Sequence, residues 1–220
     1  MSVVDGSLPR TQRVATLLEA RRLELRERPV PRPGPGEVIL RVEAATTCGT
    51  DLKMYRRGHP LFPFPVSLGH EFTGTVAATG AGVTRFAEGD SVMSVHSAPC
   101  GRCRRCQRRQ ENLCETLIDR MTLGAFGEFV RLSDRHVEVN ASLRPSSLPI
   151  EHAALLEPLA CVVYGRQLLV RNRGEAGRLV ASPGTTEPPL VLIAGAGPIA
   201  LMYLLLLKKA DQAHVVVAAR

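Results

Sequence analysis

The sequence predicts a mixed α/β chain in two parts: a β-rich part over residues 1–165 and the start of a βαβ unit over residues 166–220. Three observations carry this. Short apolar runs between Phe72 and Val95 are punctuated by glycine and aspartate, the texture of a closed or rolled β-domain. From residue 150 the pattern turns helical, then gives an apolar strand, a glycine turn, an apolar helix and a second apolar strand. Between these regimes, 100-CGRCRRCQRRQENLC-114 is too polar and too rich in cysteine to be a core element.

Taken in order, Val14 to Glu27 reads as one or two strands, and 29-PVPRPGPG-36 as a stiff, turn-rich connector. Residues 37-EVILRVEAATTC-48 form a strand running into Cys48. TGTVAATG and DSVMSV, between Phe72 and Val95, are further strands, and the cysteine stretch is a projecting loop. Residues 126-FGEFVRLS-133 and 135-RHVEVN-140 also read as strands. Ile150 to Leu169 reads as helix with a break at Pro158, and Cys161 as a buried helix thiol. Residues 171–189 are polar and rich in Gly and Pro, a linker or surface excursion. Leu190 to Ala194 and His214 to Ala219 are apolar on both faces, as buried parallel strands are, with a helix to about Ala210 between them.

Composition narrows the function classes. The chain has 220 residues, 45% of them hydrophobic, enough for a real core. The net charge of +7 comes from arginine spread along the chain among many acids, so it describes a basic protein more than a polyanion binder. Aromatics make up 4% and tryptophan is absent, which argues against base stacking. MSVVDGSLPRTQRV has neither an apolar run nor a small-residue cleavage site, so a cytoplasmic setting with reduced thiols is expected. Leu190 to Leu207 is uncharged and long enough to raise a transmembrane reading, but Gly195, Gly197 and Pro198 break it, so no membrane partner is expected.

Cys100, Cys103, Cys106 and Cys114 give C-x2-C-x2-C-x7-C. Four thiolates on one loop suit a structural, tetrahedral zinc. A bacterial iron–sulfur run would end C-x3-C-P, and a nucleic-acid finger usually pairs two halves across a longer gap. Arg102, Arg104, Arg105, Arg108 and Arg109 keep the nucleic-acid option open; as a solvated loop they would partly offset the negative tetrathiolate.

A second constellation joins 48-CGTD-51, 69-GHE-71 and 157-EPLA-160. One cysteine, one histidine and one or two glutamates make a mixed ligand set that leaves a position open, as a catalytic zinc needs. Asp51 could accept the second ring N–H of His70, and Thr50 could place a hydroxyl beside the metal-bound oxygen. A third piece, 195-GAGPIA-200, lies between an apolar strand and an apolar helix. In that context Gly195 and Gly197 allow a tight turn and close approach of a pyrophosphate, which the helix start at Pro198 and Ile199 attracts.

These pieces together resemble the zinc-dependent medium-chain alcohol dehydrogenases, in their sorbitol- and threonine-dehydrogenase-like branch. The carriers are CGTD at 48–51, GHEFTG at 69–74, GD at 89–90, the cysteine lobe at 100–114, EPLA at 157–160 and GAGPIA at 195–200, in the family's order. The resemblance implies a GroES-like catalytic domain followed by the start of a Rossmann domain. It implies two zincs: one on Cys48, His70 and Glu71 or Glu157, and a structural one on the four lobe cysteines. It implies an oxidoreductase that moves hydride between a secondary alcohol or polyol and NAD or NADP, with Thr50 relaying the proton. A homo-oligomer is expected of the full-length family. Ala219 and Arg220 stand where an acidic residue would hold the ribose hydroxyls, which favours NADP. The chain ends after two Rossmann strands, so a C-terminally truncated member is expected. A catalytically impaired zinc-binding paralogue with a binding or scaffold role is the alternative.

Overall fold

The computed structural model describes residues 8–175, 178–180 and 187–219. The chain folds as two compact units, Met1–Glu157 and Pro158–Arg220.

The first unit is built on two sheets. Strands β1 (Thr11–Glu19) and β2 (Arg22–Pro29) form a hairpin, and β4 (Val66–Ser67) pairs on the other side of β1. The five-stranded antiparallel sheet has the order β7-β3-β5-β6-β8: Phe129–Leu132, Val38–Thr46, Glu71–Thr79, Ser91–Ser94 and Ala141–Leu143. Its core holds Val38, Leu40, Phe72, Val76, Val92 and Leu132, all essentially inaccessible. A neighbouring cluster of Leu17, Met54 and Leu68 seats helix α1 (Gly49–Arg57), which turns Met54 inward. In the cysteine stretch the chain makes one short helix, α2 (Arg104–Gln107), then a 3-10 turn at Glu111–Leu113.

Residues 136–140 are not the expected strand. They form a π-helical turn, and pairing resumes only at β8. The cause is His136: its ring is 1% exposed, with Nδ1 2.9 Å from Ser133 Oγ and Nε2 3.0 Å from the His96 carbonyl. Seating that ring coils the backbone where alternation alone would extend it. The helical break also moves. Helix α3 (Ile150–Ala153) ends before α4 (Leu156–Arg173), so Pro158 sits in the first turn of α4, where a missing N–H costs nothing.

In the second unit the short strands β9 (Gly174–Glu175) and β10 (Arg178–Leu179) pair antiparallel. Strand β11 (Leu190–Ala194), helix α5 (Pro198–Asp211) and strand β12 (His214–Ala218) make the βαβ unit, with β11 and β12 parallel and in register from Leu190–His214 to Ala194–Ala218. The two strands are not buried on both faces: Leu190 is 74%, Leu192 68% and Val216 53% exposed. Two strands and one helix cannot cover both faces of a sheet. Cys161, expected to be buried, is exposed on α4, one residue from the buried Val162 and thus about 100° around the helix. Asp211, wholly buried at the end of α5, takes a bidentate contact from Arg166 at 2.6 and 2.8 Å and accepts the Leu179 N–H at 3.0 Å. No helix among the described residues is long and apolar enough to cross a membrane.

Candidate metal and nucleotide sites

Strand register assembles the first site. Strand β3 pairs with β5 so that Thr46 faces Glu71, and the Thr46 hydroxyl donates to Glu71 Oε2 at 2.6 Å. Cys48 leaves the end of β3 as His70 enters the start of β5, so residues 22 positions apart meet at one sheet end. The ligand atoms of Cys48, His70 and Glu71 all lie within 4.8 Å of one another. His70 and Glu71 are buried and Cys48 partly so.

Asp51 organises this cluster. Placed in the first turn of α1 and 3% exposed, it accepts the Cys48 N–H through Oδ2 at 2.9 Å and the Gly69 N–H through Oδ1 at 3.3 Å. His70 Nδ1 lies 3.4 Å from Asp51 Oδ1, which leaves Nε2 for a ligand. Burial pulls the His70 imidazolium down, but the hydrogen bond and charge of Asp51, with help from Cys48, outweigh it and lift His70 to about 9. Burial also pushes Asp51 up; the His70 pairing and the Cys48 and Gly69 amides bring it below its ordinary value. Gly69 is required for this packing. Its φ is +92°, and a Cβ there would sit 2.5 Å from the Phe126 amide nitrogen.

Glu157 falls outside the group of three. Its Oε1 is 3.1 Å from His96 Nδ1, and the His96 ring meets the His70 ring edge-on at 5.1 Å. Sequence reasoning missed His96. It stands in no quoted motif, and its one sequence signal is its place between the β6 run and the cysteine lobe. Thr50, two residues after Cys48, lines a cavity together with Lys53, Arg57, His59, Phe62 and Phe64.

The four lobe cysteines form the second group, again with all ligand atoms within 4.8 Å. Cys103 N–H donates to Cys100 Sγ and Cys100 N–H to Cys114 Sγ, both at 3.3 Å, and Cys100 Sγ and Cys106 Sγ are 4.0 Å apart. A disulfide needs about 2.05 Å. Zinc arms of about 2.3 Å at tetrahedral angles place sulfurs roughly 3.8 Å apart, so the lobe fits the metal and not a cross-link. The backbone N–H groups of Arg102 and Cys103 hold Cys100 down at about 6, while burial and the neighbouring thiols push Cys106 up to about 12. Four thiolates this close need a cation to lose all their protons. The five lobe arginines are all exposed.

In the second unit Gly195 has φ +112°, and its N–H donates to the Ala218 carbonyl at 2.7 Å, closing the turn between β11 and α5. Gly197 caps α5, Pro198 takes its first position and Ile199 is 45% exposed. A Cβ built on Gly195 or Gly197 would meet nothing within 4 Å. The turn is an open cradle at the start of a fourteen-residue helix, which fits a pyrophosphate. Arg220 and part of 171–189 lie outside the described residues.

Comparison with known proteins gives a consistent likeness. Residues 34–140 match the alcohol dehydrogenase GroES-like domain. The chain is 37% identical over 203 residues to D-altritol 5-dehydrogenase of Agrobacterium fabrum, covering 91% of this chain and 56% of the relative. It is 32% identical to sorbitol dehydrogenase of Bacillus subtilis, covering 89% and 52%. Among solved structures it is similar to a cobalt- and zinc-bound thermostable alcohol dehydrogenase from Pyrobaculum aerophilum, at 25% identity and a TM-score of 0.76, covering 96% of this chain and 60% of the other. The chain thus spans about half the length of the curated relatives it matches.

Proposed function

We propose that the chain is a member of the zinc-dependent medium-chain alcohol dehydrogenases and serves a dehydrogenase interconverting a secondary alcohol or polyol and its ketone with NAD or NADP. The observation that supports this best is the mixed group Cys48, His70 and Glu71, separate from an all-cysteine lobe in the same unit. An all-thiolate set closes a metal off; a thiolate, an imidazole and a carboxylate leave it a free position.

In this reading Cys48, His70 and Glu71 hold the catalytic zinc, and Cys100, Cys103, Cys106 and Cys114 the structural one. Zinc supplies a Lewis acid for the alcohol oxygen, and the nicotinamide supplies the hydride acceptor. The protein's own residues do the rest. Asp51 fixes the His70 tautomer through Nδ1 and so presents Nε2. Thr46 orients Glu71. Glu157, its carboxylate 3.1 Å from His96 Nδ1, stands beside the site as a carboxylate able to move a proton to solvent. Thr50 would relay the proton of the substrate hydroxyl, accepting it at Oγ while its own hydroxyl proton passes on toward solvent. Gly195 and Gly197 admit the pyrophosphate against the start of α5, with Pro198 and Ile199 at its edge. The functional division is between a metal-holding part, residues 1–165, and a nucleotide-holding part, residues 166–220. Arg220 would favour the 2′-phosphate of NADP.

The test is zinc per chain measured together with NADPH and NADH binding. Two zincs with nucleotide bound support the reading. One zinc and no nucleotide leave only the cysteine lobe assembled and favour the impaired paralogue.

A further inference from the structure

The π-helical turn at His136–Asn140 fixes a segment outside itself. His136 Nε2 lies 3.0 Å from the His96 carbonyl, and the Thr122 N–H donates to the same oxygen at 2.7 Å. A carbonyl only accepts, so Nε2 carries the His136 hydrogen, and Nδ1 takes the Ser133 hydroxyl at 2.9 Å. The Asn140 amide donates to the next carbonyl, that of Ser97. Residues 96 and 97 are therefore clamped at the backbone. Turns of this kind are frequent at functional sites.

The clamp sets the His96 ring edge-on to the His70 ring at 5.1 Å. His96 Nδ1 is buried and makes no hydrogen bond among the described residues. Glu157 Oε1 stands 3.1 Å from it, off the line of such a bond. A bare ring lone pair would be repelled by a carboxylate oxygen at that distance, so Nδ1 carries the hydrogen. The two side chains are only 18% and 12% exposed, so water is no ready substitute. An enclosed N–H is costly to leave unpaired, and the acceptor within its reach is Glu157.

We propose that His96 is a positioning residue of the mixed group: its Nδ1–H draws Glu157 aside, so that Glu71 is the carboxylate ligand and the metal keeps a position for substrate. The proposal rests on reading Cys48, His70 and Glu71 as the catalytic zinc site. Glu71 is committed to that site by register, with the Thr46 hydroxyl on Oε2 at 2.6 Å and its ligand atom within 4.8 Å of those of Cys48 and His70. Glu157 arrives on a separate element, in the first turn of α4. A small rotation of the His96 ring aligns Nδ1–H with Oε1 and leaves the clamped backbone where it is. If Glu157 joined Cys48, His70 and Glu71, four protein donors would close the metal off, as in a structural site.

The experiment loads the chain with cobalt(II) and reads its visible absorption, which reports coordination number, with the C48A spectrum subtracted as the lobe's background. Imidazole, a neutral ligand, is titrated to probe the open position in wild type, H96A and H96A/E157A. Wild type should respond. H96A should bind imidazole about tenfold more weakly or not at all, because Glu157 has taken the position. H96A/E157A should regain the wild-type response, a rescue that a merely structural role for His96 does not produce. An H96A response equal to wild type overturns the proposal and keeps the zinc reading, as does a double variant that stays silent. A wild-type spectrum no different from that of C48A overturns both, since no cobalt then sits in the mixed group. Circular dichroism and cobalt retained in the lobe establish that each variant is folded.

Discussion

Replacing Asp51 by Asn tests the arrangement around His70 most directly. The substitution keeps an acceptor for the Cys48 and Gly69 amides but removes the charge facing His70. With His70 lifted from 6.5 to about 9 and its side chain 9% exposed, the pairing contributes about 3 kcal/mol to the metal-free fold. The sign follows from linkage. A histidine raised on folding stabilises fully below its unfolded value, and that stabilisation is lost as pH rises through about 9. Cys100, held at about 6, works in the opposite direction, because its folded thiolate forms before the unfolded one does. The informative quantity is therefore the difference between wild type and D51N. Urea unfolding of the chelator-treated proteins should show wild type ahead by about 3 kcal/mol at pH 6.5, shrinking to about 1 kcal/mol or less near pH 10. The ring C–H shift of His70, followed by NMR, should titrate at lower pH in D51N. A wild-type advantage that does not change with pH would refute the argument: Asp51 would then be a helix-start residue only.

Three further outcomes follow from the same geometry. Gly69→Ala should cost about 2–4 kcal/mol, since it combines a positive φ with a backbone collision at Phe126; thermal melting reads this, and metal analysis should show zinc lost from the mixed group and kept by the lobe. Burial holds His136 below its ordinary value, so below about pH 6.5 the unfolded chain takes a proton that the folded chain refuses, and stability falls with acid. H136Q should lose less stability than wild type between pH 7.5 and 5.5 in urea unfolding; an identical loss would contradict the assignment. Asp211→Ala removes the carboxylate shared by the Arg166 guanidinium and the Leu179 N–H and should destabilise the second unit by about 2–3 kcal/mol, seen as faster hydrogen exchange in α5.

Much of this protein is legible along the chain because its chemistry is encoded in short spacings. C-x2-C-x2-C-x7-C can fold onto one ion without help from elsewhere, and G-x-G between an apolar strand and an apolar helix makes its own turn. CGTD and GHE carry the candidate donors, and Asp51 is close enough to Cys48 to cap α1 by local geometry alone. What the chain could not express locally was decided by long-range pairing. Which donors meet depends on the β3–β5 register, bulged at Ile39/Leu40 and at Val42/Ala44, which sets Glu71 opposite Thr46. Glu157 comes within 3.1 Å of His96, 61 residues earlier and outside any motif. The strand pattern of 135–140 gave way to a coil because seating the His136 ring outweighs alternation. Exposure of Leu190, Leu192 and Val216 likewise follows from how many neighbours the two strands have, not from their composition. A motif carries its chemistry in its residue types; which distant side chain completes it is set by the sheet, because only pairing brings remote backbone to within a hydrogen bond's length.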